Sequence, residues 1–250
     1  MDQRRIALLL AYDGSRFNGW QVQDDQPTVQ GELEKALAVL HKEPARITGS
    51  GRTDTGVHGL GQVAHFDTQS SIPAAKYREA LNSILPQSIR IKAAVTADSE
   101  FHSRFDARER EYEYRILAGT RPEPFQYGYY HSLSYVPDVQ SLNRIASSLI
   151  GEHDFTTFSA AGDKSDSKVR RMIAAHFYLR KNVLIFVIRG NAFLWRMVRS
   201  LVGTIIEDER NGGTEYFRHR LLSADRTFAG ATAPPGGLYL RRVTYGKRIF

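Results

Sequence analysis

Apolar residues recur along this chain with two periods, and the changes between them mark its elements. Residues 5–12 have strand character, with the apolar run Ile6 to Tyr12 ending in the turn Asp13-Gly14-Ser15. A helix follows from Pro27-Thr28, with Thr28 as cap: Val29, Leu33, Leu37 and Leu40 fall on one stripe while Glu32, Glu34 and Lys35 point away. Gln62 to Asp67 reads as a strand, Pro73 to Leu85 as a helix stopped by Pro86, and Ile89 to Val95 as another strand. Ser99 to Asp106 has no period, so a domain junction is placed there, separating residues 1–106 from 107–250. Beyond it Tyr112, Tyr114 and Ile116 alternate with Glu111, Glu113 and Arg115, the pattern of a half-buried strand over Arg110 to Leu117. Val136 to Ile150 is helical through Leu142, Ile145 and Leu149. Met172–Arg180 and Asn182–Arg189 form a hairpin split at Lys181-Asn182. Phe193 to Asp208 carries the longest helical pattern, Gly237 to Tyr245 closes the chain as a strand, and Asp163 to Lys168 is a polar, mobile surface loop. Strands joined both by hairpins and by helices predict an α+β fold with a mixed or mainly antiparallel sheet, and two halves of similar content suggest a duplicated architecture.

Composition narrows the function classes. Of 250 residues 42% are apolar and 24% charged, which suits a folded chain with a real core. Cysteine is absent, which excludes a thiolate nucleophile, a disulfide framework and a cysteine metal site, and fits a reducing compartment. The seven-residue run Ile6 to Tyr12 is far short of the roughly 20 needed to span a bilayer, and no cleavage site follows it. A cytoplasmic protein without a membrane partner is expected. The 34 Lys and Arg exceed the 27 Asp and Glu, a formal charge of +7 that either aids solubility or serves a polyanionic partner. Arginines lie beside aromatic residues in Phe101-His102-Ser103-Arg104-Phe105, Arg110-Glu111-Tyr112-Glu113-Tyr114-Arg115 and Trp195-Arg196, a pairing of guanidinium and ring suited to RNA.

The chemistry concentrates in Thr48 to Gln62, where five glycines within residues 49–61 surround Arg52, Asp54 and His58. Taken alone, an aspartate in a glycine loop more often turns the backbone than reacts. A P-loop lysine, a dinucleotide fingerprint opening a helix, a His-Glu-x-x-His pair and a serine nucleophile elbow are all missing, so nucleotide hydrolysis, a bound dinucleotide, a catalytic metal and a serine hydrolase are not expected. What remains is one carboxylate beside a cation. Glycosidases usually pair two carboxylates, so a transferase or isomerase acting on a nucleoside suits the single aspartate better.

Gly51-Arg52-Thr53-Asp54-Thr55-Gly56-Val57-His58-Gly59-Leu60-Gly61-Gln62-Val63 resembles the signature of the tRNA pseudouridine synthase A family. So do, in order, Tyr12-Asp13-Gly14, Gly19-Trp20-Gln21, residues 28–34, Phe101-His102-Ser103-Arg104-Phe105, residues 110–114, Gly151-Glu152-His153-Asp154-Phe155, Asn191-Ala192-Phe193, Met197-Val198-Arg199 and Gly237-Leu238-Tyr239-Leu240. Thr55 and Gly59 depart from the pattern, standing where alanine is usual. The resemblance implies a cofactor-independent enzyme that isomerises uridines 38, 39 and 40 in the anticodon stem-loop of tRNA by flipping the base, and that works as a homodimer. It implies two α/β domains sharing an extended mixed, mainly antiparallel sheet, helices on one side and an active-site cleft between the domains. It makes Asp54 the catalytic residue, as nucleophile or base, and Arg52 the residue that helps turn out the target nucleotide. Tyr112 becomes the ring against the flipped uracil, Arg199 the cation paired with Asp54, and Leu240 the floor of the pocket. Without the resemblance Tyr112 and Leu240 would be read as core. Arg199, set in the apolar run Phe193, Leu194, Met197, Val198, Leu201, Val202, would need a partner. His58, His102 and His153 are left with structural roles.

Overall fold

A computed structural model describes residues 3–250. The chain is α+β, with ten strands, mainly antiparallel, and five α-helices among the described residues. It divides into two compact units. One contains the residues up to Arg108 together with Tyr239–Phe250, and the other is Glu109–Leu238. The expected division at 106/107 left the C-terminal strand in the second half, whereas the chain returns that strand to the first unit.

In the first unit β1 (Arg4–Tyr12) lies antiparallel between β3 (His58–Thr68) and β4 (Ile89–Ala97), and the short β2 (Thr48–Gly49) pairs with β3. The closing strand β10 (Leu238–Tyr245) joins β3 in parallel through Tyr239 opposite His58 and Leu240 opposite Gly59. Two helices, α1 (Val29–His41) and α2 (Lys76–Ile84), cover one face. Alternation in β1 turns Ile6, Leu8 and Leu10 to that face, where they meet Leu33 and Leu37 of α1, Tyr77 and Leu81 of α2, and Phe66 of β3. Each fully buried leucine contributes about 1.5–3 kcal/mol there. Thr28 caps α1 as expected, its hydroxyl accepting the Gly31 N–H at 3.2 Å.

The second unit takes β5 (Ala107–Ala118) from Glu109 onward, its first two residues belonging to the first unit, and continues with β6 (His131–Leu133), α3 (Val139–Ser147), β7 (Gly151–Asp154), β8 (Val169–Arg180), β9 (Val183–Gly190), α4 (Met197–Asn211) and α5 (Gly213–Leu222). Its antiparallel order is β5-β9-β8-β7, with β6 parallel to β5. The β8–β9 hairpin turns at Lys181, in the left-handed region at φ 56°. The Asp138 carboxylate caps α3 by accepting the Gln140 and Ser141 N–H groups.

Three expectations change. The strand β5 is not half-buried, because Glu111 and Glu113 are buried as well as Tyr112 and Tyr114; the Arg115 guanidinium donates to Glu113 at 2.6 Å and makes that burial tolerable. Helix α4 begins at Met197 and not at Phe193. Ahead of it the Trp195 N–H donates to the Asp163 carboxylate (2.6 Å) and the Trp195 carbonyl accepts from Ala160, which withdraws this stretch from the helix. Asp163 itself, expected in a surface loop, has a side chain only 5% exposed, held by Lys168 at 2.6 Å. A fifth helix, α5, follows α4 after Gly212, with Gly213 at φ 65° making the break.

Candidate active site

The segment from Ser50 to Val57 connects β2 to β3, and its shape is imposed from both sides. Gln62, fully buried on β3, holds the near side: its Oε1 accepts from the Ser50 hydroxyl and its Nε2 donates to the Gly51 carbonyl at 2.9 Å. The Ser50 N–H donates to the Val63 carbonyl at 2.8 Å. On the far side the Trp20 N–H reaches the Thr53 carbonyl (3.0 Å), the Gly56 N–H reaches the Phe17 carbonyl (3.3 Å), and the Thr53 and Tyr12 hydroxyls are 2.9 Å apart. Between these anchors the Asp54 carbonyl accepts from Val57 at 3.1 Å and closes a turn in which Gly56 takes φ 77°, a conformation that a side chain would strain. Asp54 is half-buried on this turn and Arg52 is exposed. Arrival at β3 is fixed by His58, buried at 2%, whose Nδ1 accepts the Gly14 N–H (3.1 Å) and whose ring stacks on Tyr239 at 4.6 Å. Gly59 has a local reason to lack a side chain, since a β-carbon there would come within 2.4 Å of the Tyr12 ring.

Behind the segment a second layer steadies β2. The His65 Nδ1 accepts the Ser103 N–H at 3.2 Å, and the Ser103 hydroxyl donates to the Thr48 carbonyl at 2.7 Å. Leu240 is buried on β10 opposite Gly59, beside the arm through which the Asp54 segment enters β3. The first unit therefore gathers Arg52, Asp54 and Leu240 on one strand connection and the strand next to it.

Tyr112 and Arg199 belong to the second unit. Tyr112 lies on β5 opposite Ile188, 8% exposed, with its ring edge-on to Phe193 at 5.0 Å. Arg199 stands in the first turn of α4, half-buried; its Nε donates to the Ala233 carbonyl (2.8 Å) while the Ala233 N–H donates to the Arg199 carbonyl (3.1 Å). Tyr114, next along the same face of β5 from Tyr112, donates its hydroxyl to the Pro234 carbonyl at 2.7 Å. Burial pushes the Tyr114 phenol above its ordinary pKa, and the Arg199 charge draws it back. Sequence reasoning assigned no task to Gln62 or Ser103. A glutamine set between Gly61 and the apolar pair Val63-Ala64 is a local sign that something there must be bonded.

Among the described residues no group of three or more His, Cys, Asp or Glu side chains is arranged to hold a metal ion, and no helix is long and apolar enough to cross a membrane. The arrangement offers a carboxylate held on a rigid, partly open turn with a guanidinium two residues away. Residues 9–106 and 145–246 match the family described as tRNA pseudouridine synthase. The chain belongs to the tRNA pseudouridine synthase family. Proteins named tRNA pseudouridine synthase A from Treponema denticola, Bacillus subtilis and Borreliella burgdorferi are 45%, 44% and 42% identical to it. The alignments cover 98%, 96% and 97% of this chain and 94%, 99% and 99% of theirs. As a pseudouridine synthase the chain has Arg52, Asp54, Arg199 and Leu240 inside the matched family stretches, while Tyr112 falls between them.

Proposed function

We propose that this protein isomerises uridines 38, 39 and 40 in the anticodon stem-loop of tRNA to pseudouridine, with Asp54 as the catalytic nucleophile. Family membership makes it an isomerase acting on tRNA uridine. The observation that carries the assignment to Asp54 is the turn at residues 53–57, held by backbone bonds from Trp20 and Phe17 and by the Gln62 clamp, with the one carboxylate of the signature half-open upon it. In the reaction the bond from N1 to the sugar C1′ breaks and a bond from C5 to C1′ forms. C5 gives up its proton and N1 gains one, so nothing is oxidised and no cofactor is required. Asp54 attacks the sugar carbon or the base once the nucleotide is flipped out of its stack. Arg52 helps turn the nucleotide out, Tyr112 lies against the flipped uracil and offsets part of the lost stacking, Arg199 keeps Asp54 ionised, and Leu240 floors the pocket. The protein acts in the cytoplasm as a homodimer.

Asparagine keeps the shape of Asp54 and much of its hydrogen bonding, so Asp54→Asn separates a turn-former from a nucleophile. Tritium release from 5-tritiated uridine in tRNA should fall to background in this variant, while filter binding of tRNA stays within about threefold of the parent, because binding is spread over many cationic and aromatic groups. Turnover near the parent rate would remove Asp54 from the mechanism.

A further inference from the structure

In the segment Phe101-His102-Ser103-Arg104-Phe105 Ser103 steadies β2, while His102, Arg104 and Phe105 have no part in the chemistry above and are nonetheless held in a defined arrangement. Phe105 is 76% exposed, and its ring stacks on His102 at 4.3 Å with planes 27° apart. His102 is itself locked, because its Nδ1 accepts the N–H groups of both Arg104 and Phe105 at 3.2 Å. The turn is closed by two reciprocal bonds, from the His102 N–H to the Asp106 carboxylate (2.8 Å) and from the Asp106 N–H to the His102 carbonyl (3.0 Å). Inward of His102 lies His65, edge-on at 4.9 Å and anchored on Ser103. Three rings thus run from the buried strand β3 to a phenyl group in water. A single exposed phenylalanine needs no explanation; one presented on a ladder of oriented rings does.

Cationic groups lie near the ring, and the Asp106 carboxylate of the same turn is engaged by the His102 N–H. The Arg104 guanidinium stands 5.7 Å from the Phe105 ring centre. Tyr245 ties the C-terminal tail to this turn, donating to the Ser103 carbonyl at 2.7 Å and packing edge-on against Phe101 at 5.1 Å, and the exposed Lys247 and Arg248 follow it within three residues along the tail. The Arg108 guanidinium lies against Gly246 of that tail, where a β-carbon would meet it at 2.7 Å. A flat, solvent-exposed ring held in place by His102, with cationic groups nearby, has the chemistry of a stacking platform for a base whose phosphates are held at its rim.

We propose that Phe105, backed by His102, is a stacking platform for an unpaired nucleobase of the RNA substrate, with Arg108 and the tail cations holding the adjoining phosphates. The proposal rests on the tRNA reading and adds to it a binding site on the first unit that is distinct from the Asp54 turn. The platform is preformed, so little ordering entropy opposes binding.

The test is the dissociation constant of a full-length tRNA transcript for the parent and for Phe105→Ala, Phe105→Leu and Phe105→Trp, with melting temperature and sedimentation mass recorded on the same preparations. Phe105→Ala and Phe105→Leu should each weaken binding about tenfold or more, and Phe105→Trp should bind like the parent, since stacking needs a π-face and not merely an apolar group. Arg108→Gln should lower the slope of log affinity against log salt by about one, whereas the Phe105 variants leave that slope unchanged. Parent-like affinity in Phe105→Ala, or equal affinity in Phe105→Leu and Phe105→Trp, would overturn the platform while the parent's own binding upholds the tRNA reading. A changed mass for Phe105→Ala without RNA would show that the ring covers a protein contact, which also overturns it. A parent that bound no tRNA would sink the tRNA reading and the platform with it.

Discussion

His65 stands on β3 with 6% of its surface exposed, and burial is the main reason its pKa falls to about 4; Arg5 and His102 push the same way, against Asp67 and Asp106. In an unfolded chain the same ring titrates near 6.5. Between those values the unfolded chain takes up a proton that the folded one refuses, so the stability tied to the neutral ring is complete above the unfolded value and is lost as pH falls toward the folded one. The whole effect is on the order of 3 kcal/mol. Denaturant unfolding between about pH 7.5 and about pH 4.5 should show the parent losing more stability on acidification than His65→Gln, which keeps an acceptor for Ser103 and does not titrate. Parallel curves would remove His65 as the source. The position of this histidine was plain in the sequence, but its state was not, because the Ser103 that orients it is 38 residues away.

At the scale of elements, the start of α4 depends on a carboxylate from another segment. Burial raises the Asp163 carboxyl, and it is outweighed by the bonds from Lys168, the Trp195 N–H and Ser165, which together hold it well below the usual carboxylate range. Because that pKa is depressed, the contribution of Asp163 is present above the ordinary carboxylate pKa and disappears in acid as the group takes up its proton. Asp163→Ala should cost about 2 kcal/mol, less than a fully buried pair because Lys168 is 23% exposed, and should speed hydrogen exchange at the Trp195 amide. Lys168→Ala should cost less, since the carboxylate keeps its two backbone donors. Unchanged exchange at Trp195 in Asp163→Ala would show that the helix start is set elsewhere. The apolar pattern from Phe193 onward is helical in spacing, which is why the sequence alone carries the helix four residues too far forward. Nothing local reveals that residues 160 and 163 claim the Trp195 backbone.

At the scale of the whole molecule the surplus of +7 adds a long-range field to the individual phosphate contacts. Affinity for tRNA should therefore fall steeply with salt, by about a thousandfold between about 50 and about 200 mM if some six phosphates are neutralised. Filter binding across that range checks it, and an affinity flat in salt would leave the charge with solubility alone.

The periods of the apolar residues, the Thr28 cap and the β8–β9 turn were legible in the sequence because each rests on interactions spanning a few residues, where propensity and side-chain capping act. The reactive inventory of the Arg52–Asp54 segment was legible for a different reason: residue types carry their chemistry wherever they stand. The return of Tyr239–Phe250 to the first unit was not legible, because the partner of β10 lies about 180 residues earlier and a strand's alternation does not name its neighbour. Nor was the buried state of Glu111 and Glu113, which look like the solvent face of an alternating strand until both faces of β5 are covered. The rigidity of the Asp54 turn was decided by tertiary structure in the same way. Its anchors, Phe17, Trp20, Gln62 and the Ser103–Thr48 bond behind them, come from separate stretches of chain, and only folding brings their donors and acceptors within hydrogen-bond distance.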